Sequence, residues 1–318
     1  METIEVRLKA IRYEAQGISS FELRPLPGRE LPAFTAGAHI DVHLPNGLMR
    51  NYSLCNAPTE RHRYVIGVNK DPNSRGGSRF MHESLHVGDV LTVSAPRNNF
   101  PLDEAAAHTV LIAGGIGITP LWGMIQRLEE LGRSWELHYS ARNRQGAAFL
   151  DELRALGEPA RSRLHLSFDA ESGGQFLDLR AIVAQAPAQA HLYCCGPLPM
   201  LDAFEQATAQ LAPERVHREY FAAKDAPDTS GGFAVELART GRTLVVPAGK
   251  TILDTLLDEG IDVPYSCGEG ICATCETRVL AGIPDHRDLV LSPDEQAAGD
   301  RMMICCSGAK SDRLVLDL

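Results

Sequence analysis

Three cysteines in one glycine-rich stretch constrain this chain more than any other feature. They lie at C-x4-C-x2-C spacing at Cys267, Cys272 and Cys275, and a further pair, Cys305-Cys306, follows about thirty residues later. A [2Fe–2S] cluster needs four thiolates that converge on two iron atoms, and glycines let backbone N–H groups approach its sulfides. A structural zinc site more often combines two C-x2-C pairs, or cysteine with histidine. The spacing therefore favours a plant-type [2Fe–2S] cluster over zinc.

Length and composition indicate a soluble protein of two or three domains. At 318 residues the chain is too long for one hydrophobic core, and its 44% hydrophobic and 23% charged residues are typical of globular domains. The N-terminal residues alternate like a strand and lack a signal-peptide core, and no apolar run is long enough to span a membrane. Eight cysteines without an export signal indicate the reducing cytoplasm. The net charge of −10 argues against nucleic-acid or anionic-membrane partners.

The first hundred or so residues predict an antiparallel barrel, because short alternating segments are separated by Gly, Pro and Asn. The predicted strands are 4–10, 18–23, 39–44, 64–69 and 90–94. Segment 39–43, His-Ile-Asp-Val-His, resembles a metal tripod, but we favour a strand with its polar face exposed and its apolar face in the core. Segment 74–78, Ser-Arg-Gly-Gly-Ser, is either a phosphate-binding turn or an ordinary loop.

From His108 onward, alternating strands and helices predict an α/β domain with a parallel sheet. The predicted strands are 109–113, 136–139, 164–168, 191–194 and 216–220, with helices near 121–131, 147–156 and 200–211. The first strand leads into the segment 114–120, Gly-Gly-Ile-Gly-Ile-Thr-Pro, in which we expect Thr119 to cap a helix and Pro120 to open it. A dinucleotide pyrophosphate would bind at that helix N-terminus, although G-x-G-x-x-G is absent and a purely structural turn is the alternative.

The fourth predicted strand ends in Cys194-Cys195-Gly196-Pro197, at the sheet edge where α/β folds bind ligands. Cys195 is either an inert buried thiol or a residue that faces the nicotinamide. Trp122 and Trp135 are expected in the core of this domain. Residues 224–232 predict a linker, followed by a hairpin at 233–238 and 243–246, a helix at 251–259, and strands at 276–280 and 314–318.

Together these three parts resemble the phthalate dioxygenase reductase family, which includes the vanillate O-demethylase reductases. The likeness covers essentially the whole chain and rests on R-x-Y-S at 50–53, GGIGITP at 114–120, CCGP at 194–197 and the C-terminal cysteines. It implies a multidomain fold: an antiparallel FMN-binding β-barrel at 1–103, an α/β parallel-sheet NAD-binding domain at 104–223, the linker at 224–232, and an α+β, β-grasp ferredoxin domain at 233–318.

The resemblance further implies an NADH-dependent reductase that passes electrons through FMN and a [2Fe–2S] cluster to a Rieske-type aromatic-ring dioxygenase or O-demethylase. A flavin is needed because hydride carries two electrons and the cluster accepts one at a time. We expect a monomer that contacts the oxygenase transiently. The segment from Gly231 to the C-terminus contains 14 acidic and 8 basic residues. This acidic excess would favour docking to a basic surface of the partner, or would simply aid solubility.

Carried over residue by residue, the resemblance implies which residues of this chain bind the cofactors. It implies no catalytic side chain. The flavin side comprises Arg50, Asn51, Tyr52, Ser53, Val68, Asn69, Arg75, Gly76, Gly77, Ser78 and Phe221. The nicotinamide side comprises Gly115, Thr119, Cys195, Gly196 and Pro197. The cluster ligands are Cys267, Cys272, Cys275 and Cys305, and Cys306 is expected to be a bystander in the core.

The sequence departs from the family pattern at Asn51, where threonine is common, at Ala273, where glycine is usual, and at Gly308, where arginine is usual. Alternatives within the same architecture are FAD in place of FMN, NADPH in place of NADH, or another oxygenase type as acceptor. Arg142 and Arg144 would hold the 2′-phosphate of NADPH or else are solvated loop charges. A non-enzymatic zinc module is the alternative from a different class.

Overall fold

The computed structural model describes residues 3–157, 163–171 and 173–318. The chain divides into two compact units, Met1–Glu219 and Tyr220–Leu318. The first unit carries an antiparallel and a parallel sheet, and the second carries a five-stranded sheet with a small two-stranded one. No helix among the described residues is both long enough and apolar enough to cross a membrane.

The N-terminal sheet has six antiparallel strands in the order β4-β3-β6-β1-β2-β5, which confirms the predicted antiparallel architecture. Its elements are β1 (Thr3–Ala15), β2 (Ile18–Pro25), β3 (His39–His43), β4 (Met49–Ser53), β5 (Tyr64–Asn69), α1 (Gly77–Glu83) and β6 (Val90–Ser94). Alternate residues of these strands, including Phe21, Ile40 and Val93, form one buried cluster. The prediction missed β4, whose polar residues lack an apolar alternation, and the short α1.

The prediction that β3 exposes its polar face is wrong. Asp41 is fully buried, and its two carboxylate oxygens each lie 2.8 Å from a guanidinium nitrogen of Arg97. His39 is also buried, and burial followed by the charge of Arg97 lowers its pKa to about 4, so its ring is neutral. The side-chain amide of Asn51 donates to Asp41 from the neighbouring strand. The strand thus holds a buried ion pair, which neither alternation nor composition reveals because the partner comes from a distant segment.

The second sheet has five parallel strands in the order β11-β10-β7-β8-β9. Its elements are β7 (Thr109–Gly114), α2 (Ile118–Glu130), β8 (Trp135–Ala141), α3 (Leu150–Ala155), β9 (Leu164–Phe168), α4 (Leu179–Gln185), β10 (His191–Cys195), α5 (Leu198–Thr208) and β11 (Val216–Glu219). Trp122 and Trp135 lie in its core cluster, as predicted. The prediction missed α4, which spans only seven residues.

Thr119 does not cap α2, contrary to prediction. A 3-10 turn at Gly115–Gly117 runs directly into the helix, so the residue before it is already helical, with φ −62° and ψ −6° at Gly117. Thr119 is the second residue of α2, and its hydroxyl donates to the Ile116 carbonyl at 2.9 Å. Pro120 therefore occupies the third helical position rather than the first. A proline is tolerated there as well, because the backbone N–H groups of the first turn have no carbonyl partner within the helix.

The second unit contains the sheet β13-β12-β18-β14-β16 and the pair β15-β17. Its elements are β12 (Phe233–Leu237), β13 (Arg242–Val246), α6 (Ile252–Asp258), β14 (Glu276–Ala281), β15 (Pro284–Asp285), α7 (Pro293–Ala298), β16 (Arg301–Met303), β17 (Gly308–Ala309) and β18 (Arg313–Leu316). Capping boxes at Thr251 and Ser292 start its two helices. The mixed sheet and two helices match the expected α+β ferredoxin fold.

The predicted linker is partly hydrogen-bonded to the second unit. Asp228 N–H donates to the Cys306 carbonyl at 2.7 Å, the Thr229 carbonyl accepts from Gly249 N–H at 2.8 Å, and Gly232 N–H donates to the Val246 carbonyl at 2.9 Å. These bonds place residues 228–232 on the surface of the second unit. The exact domain boundaries remain a prediction.

Candidate redox site

The loop before α1 packs against Arg50 of β4. A Cβ atom at Gly77 would lie 2.6 Å from Arg50 Nε, so only glycine lets the guanidinium approach the backbone here. Arg50 also donates through Nη2 to the Arg75 carbonyl at 3.4 Å, and Gly76 has φ 93°. The structure thereby brings Arg50 of the predicted flavin motif against Arg75, Gly76 and Gly77, which the sequence predicts to belong to a phosphate-binding turn.

Two serine hydroxyls hold the same loop in shape. Ser74 Oγ accepts from the N–H groups of Gly76 and Arg79 at 3.2 Å each. Ser78 Oγ accepts from Asp71 N–H at 3.2 Å. The loop is therefore a preorganised turn with one guanidinium against it and a second, that of Arg75, on an exposed residue. Such a turn can bind a phosphate through backbone N–H groups and arginine together.

The other predicted flavin residues lie on β4 and at the end of β5. Tyr52 packs against the barrel core, and burial raises its pKa to about 12. Val68 is buried and its carbonyl lies 2.9 Å from His82 Nε2, whereas Asn69 is exposed. The amide of Asn51 is directed to Asp41, so its contribution to flavin binding stays a prediction.

Ser53 hydrogen bonds to a residue that the sequence reasoning missed. Its hydroxyl donates to Glu219 Oε2 at 3.2 Å, across 166 positions of the chain. Burial raises the Glu219 pKa to about 8, which the Ser53 hydrogen bond only partly offsets, so this carboxyl group is protonated at neutral pH. The available signal was its place in His217-Arg-Glu-Tyr-Phe221, at the carboxyl end of the last parallel strand.

The glycine turn after β7 and the Cys-Gly-Pro turn after β10 meet through their backbones. A Cβ atom at Gly117 would overlap the Cys195 carbonyl, and one at Gly196 would lie 2.7 Å from Met200 Sδ. Gly115 opens the 3-10 turn with φ 54°, and Pro197 precedes α5. The two turns therefore form one surface at the carboxyl edge of the sheet, as the sequence predicted for a nucleotide site.

Cys195 is fully buried in the core of this unit. Burial, with smaller contributions from Glu219 and Cys194, raises its pKa well above the ordinary value, so the thiol stays protonated. Thr119 packs its methyl group towards Gly67 of β5, where an added Cβ would lie 2.7 Å from Thr119 Cγ2. Phe221 belongs to the second unit and is 40% exposed.

In the second unit, three of the four predicted cluster thiols converge. The Cys267 side chain is within hydrogen-bonding distance of both Cys272 and Cys305. Cys267 Sγ also accepts from the N–H groups of Glu269 at 3.3 Å and Ile271 at 3.5 Å. Cys275 is buried just before β14 and belongs to the same core cluster as Cys305. This donor set fits a [2Fe–2S] cluster, which requires thiolates surrounded by backbone N–H groups.

Among the predicted cluster ligands, the hydrogen bond to Cys267, followed by burial, raises the pKa of the Cys272 thiol far above its ordinary value.

Cys306 lies beside Cys305, and the side chains of the two cysteines are within hydrogen-bonding distance of each other. It is buried, and a Cβ atom at Gly270 would overlap its Sγ. The Cys306 thiol also hydrogen bonds to the Ser307 hydroxyl at 3.8 Å and the Met303 carbonyl at 3.7 Å. Cys306 thus packs against Gly270 and Cys305, and the choice of Cys305 rather than Cys306 as the fourth cluster ligand stays a prediction.

Two of the family departures have structural consequences. Ala273 has φ 60°, a left-handed conformation that favours glycine, and a glycine is usual there in the family. A Cβ atom at Gly308 would overlap the Asp228 carboxylate, so a larger side chain has no room while Asp228 keeps its position.

Two family models match the chain. Residues 111–206 match an oxidoreductase NAD-binding domain, and residues 235–310 match a 2Fe-2S iron-sulfur cluster binding domain. The matches fall on the parallel sheet and on the C-terminal ferredoxin fold.

Full-length relatives extend the likeness to the whole chain. The chain is 59% identical over 319 residues to the phenoxybenzoate dioxygenase subunit beta of Ectopseudomonas oleovorans, covering 100% of this chain and 98% of that protein. It is 54% identical over 320 residues to the tetrachlorobenzoquinone reductase of Sphingobium chlorophenolicum, covering 100% and 99%. It is 49% identical over 310 residues to the vanillate O-demethylase oxidoreductase of Pseudomonas putida, covering 96% of each.

Among solved structures, phthalate dioxygenase reductase, described as a modular structure for electron transfer from pyridine nucleotides to [2Fe-2S], matches with a TM-score of 0.76 and 40% identity, over 99% of this chain and 98% of that one. Fold and donor sets define an oxidoreductase of the reductase class, with a flavin-type barrel, an NAD-binding domain and a [2Fe–2S] domain in one chain. The chain belongs to the phthalate dioxygenase reductase and vanillate demethylase reductase family.

Proposed function

We propose that this reductase takes hydride from NADH onto FMN and delivers single electrons through its [2Fe–2S] cluster to a Rieske-type oxygenase. The observation that carries the proposal is the convergence of the Cys267, Cys272 and Cys305 thiols in a chain that also holds an NAD-binding sheet. When bound, the flavin supplies the exchange between two-electron and one-electron transfer. The protein binds and orients the cofactors.

FMN is favoured by the phosphate-type turn at residues 74–78. Arg50 lies against Gly77, and the hydroxyls of Ser74 and Ser78 fix the turn before any ligand binds. The terminal phosphate of FMN would be held by Arg50, Arg75 and the N–H groups of Gly77 and Ser78, with Gly76 shaping the turn through its positive φ. The ring would lie along Asn51, Tyr52, Ser53, Val68 and Asn69. FAD is the alternative, since its pyrophosphate can use the same groups.

NADH is favoured over NADPH by the surroundings of Arg144. Its guanidinium is paired with both carboxylate oxygens of Glu171 at 2.9–3.1 Å and stacks over the Phe168 ring at 4.5 Å. An arginine engaged in this way is not available for a 2′-phosphate unless Glu171 releases it. The nicotinamide would be bound by Gly115, Thr119, Cys195, Gly196 and Pro197.

The electron acceptor is an oxygenase, because two of the full-length relatives are named for a dioxygenase and an O-demethylase. We propose a transient contact between a monomer of this chain and a Rieske-type component, in the cytoplasm and away from nucleic acid and membranes. A cluster held by cysteine thiolates is compatible with a reducing compartment, in which cysteines serve metals or packing.

A second candidate function is direct reduction of a chlorinated quinone, favoured by the 54% identity to a tetrachlorobenzoquinone reductase. A quinone can accept hydride from a reduced flavin without the cluster. The two functions therefore differ in their dependence on the cysteine ligands.

The proposal is tested by purifying the protein, identifying the released flavin by chromatography, and recording the absorption spectrum before and after NADH or NADPH. FMN with iron–sulfur absorption that bleaches with NADH is the expected result. Release of FAD would mean that the flavin is FAD rather than FMN. Faster reduction by NADPH would mean that the electron donor is NADPH rather than NADH. A colourless protein would refute it, and reduction of tetrachlorobenzoquinone that survives loss of the cluster would favour the second candidate.

A further inference from the structure

A cluster of three potential metal ligands lies on the parallel sheet. Glu136 and His138 are two residues apart on β8 and therefore share one face. His165 on β9 stands directly opposite His138 in the parallel register. The ligand atoms of the three side chains all lie within 4.8 Å of one another. They share no residue with the proposed flavin, nucleotide or cluster sites.

We propose that Glu136, His138 and His165 bind a divalent transition-metal ion of the zinc, nickel or copper type. Two imidazoles and one carboxylate are the ligand set that such ions prefer, whereas Mg²⁺ and Ca²⁺ prefer oxygen donors alone. Three protein ligands leave a coordination position open for water, as in accessible zinc sites.

The distances on β8 already suit a metal ion. His138 Nε2 lies 3.4 Å from Glu136 Oε1. Tetrahedral bonds of about 2.0–2.1 Å separate two ligand atoms by about 3.3–3.4 Å, so these two atoms need hardly move. Both residues are on a central strand of the sheet, which fixes their backbones on both sides.

His165 must reorient to complete the site. Its ring is stacked on that of His138, with centroids 4.5 Å apart and planes inclined by 15°. Lone pairs in nearly parallel planes run alongside each other and do not converge on one ion. His165 is exposed, so rotation of its ring towards the Glu136 side meets little packing resistance. Two of the three ligands, Glu136 and His138, are therefore in place before the ion binds. The third, His165, is exposed, so an ion can reach the site from its side.

Binding would join the edge strand β9 to its neighbour β8. β9 is an edge of the sheet among the described strands, so only one ladder of backbone bonds holds it. An ion that binds the folded form alone raises the free energy of unfolding by mass action. Because the site is apart from the proposed cofactor residues, its presence or absence leaves the proposed function unaffected.

The test uses the tag-free, cluster-loaded protein with Zn²⁺ as the probe. Equilibrium dialysis with elemental analysis is expected to give about one tightly bound zinc per chain at micromolar concentration, while the iron content and cluster absorbance stay constant. The H165N and H138N variants are expected to bind about tenfold or more weakly, the least that losing even a supporting partner costs. The matched control is H62N, which removes another exposed histidine of the same unit.

A second readout is the melting temperature of the first unit, which Zn²⁺ should raise in the native protein and in H62N but not in H165N. Unchanged affinity in H165N and H138N, or binding to the native protein only at millimolar zinc, would overturn the proposal. Zinc uptake accompanied by loss of iron would place the ion at the cluster cysteines and would also overturn it.

Discussion

The cluster loop of the second unit and the Ser53–Glu219 pair of the first unit are built in opposite ways. The cluster site takes three cysteines from one nine-residue stretch, 267–275, and one from a later turn. The Ser53–Glu219 contact joins the end of β4 to the end of β11 across 166 positions. A local site leaves its spacing in the sequence, whereas a site made by two distant strand ends leaves only separate, ordinary residues. The following changes test this contrast.

Cys272→Ser is expected to have the largest effect, because it removes one cluster ligand and leaves the first unit untouched. Iron content and one-electron delivery to a protein acceptor should be lost, while NADH oxidation by a two-electron acceptor persists. Absorption spectra and both assays on the same preparation measure this. Cys306→Ser is the matched control and should retain its iron, since that thiol packs against Gly270. Equal loss of both activities in Cys272→Ser would show that the two sites are not separable.

Gly270→Ala should destabilise the second unit more than Gly268→Ala. Both glycines have φ near 70°, but only Gly270 faces Cys306 Sγ, and a Cβ at Gly268 meets nothing within 4 Å. We expect about 1–2 kcal/mol of backbone strain for either change, and about 1–3 kcal/mol more from overpacking at Gly270. Urea unfolding followed by cluster absorbance measures both.

The double variant Gly270→Ala, Cys306→Ala sharpens this test. Removing the Cys306 thiol should recover part of the overpacking cost at Gly270, with the remainder due to the nearby Asp288 backbone. Strictly additive effects would mean that the thiol does not support the loop.

Glu219→Gln should change how the stability of the first unit depends on pH. The carboxyl pKa is raised from 4.5 to about 8, so the folded form holds a proton that the unfolded form releases, and stability falls as pH rises between these values. One such proton contributes at most about 1.4 kcal/mol per pH unit, and partial solvent access reduces this to an expected total of about 1 kcal/mol. Glutamine should flatten that slope.

Thermal unfolding of the flavin-free protein from pH 5 to 9 measures the effect. Ser53→Ala is the matched control, because it removes the hydrogen bond but keeps the titrating group, and it should leave a steeper slope than glutamine does. If the stability of Glu219→Gln and of the native protein depended on pH in the same way, Glu219 would not be the group responsible for this pH dependence.

Ala273→Gly should have the smallest effect. Relief of the left-handed strain at φ 60° is worth about 1–2 kcal/mol, and the greater freedom of glycine in the unfolded chain offsets about 0.5–1 kcal/mol of it. A net stabilisation of the second unit by about 0.5–1 kcal/mol is therefore expected in urea unfolding. Ala281→Gly, at an exposed position of β14, is the control and should destabilise. A loss of stability in Ala273→Gly would mean that the alanine methyl makes a favourable contact.

The sequence predicted those parts of the fold in which local pattern and tertiary packing agree. The strands at 64–69, 90–94 and 164–168 begin and end where predicted, because alternation and turn residues delimit them. β4 was missed because its residues Met49–Ser53 lack an apolar alternation. The burial of Asp41 and the protonation of Glu219 depend on Arg97 and on the surrounding packing, respectively, which are properties of the folded chain and not of any segment.

Asp228 and Gly308 are in contact although they lie about eighty residues apart in the sequence. The side chain that is tolerated at one of these positions therefore depends on the residue at the other. An arginine at 308, which is usual in the family, fits only when the Asp228 side chain rotates away or is replaced by a smaller one, since both cannot occupy the same volume. The two positions should therefore change together across descendants of this protein. The effect of a substitution at either one then depends on the history of the other.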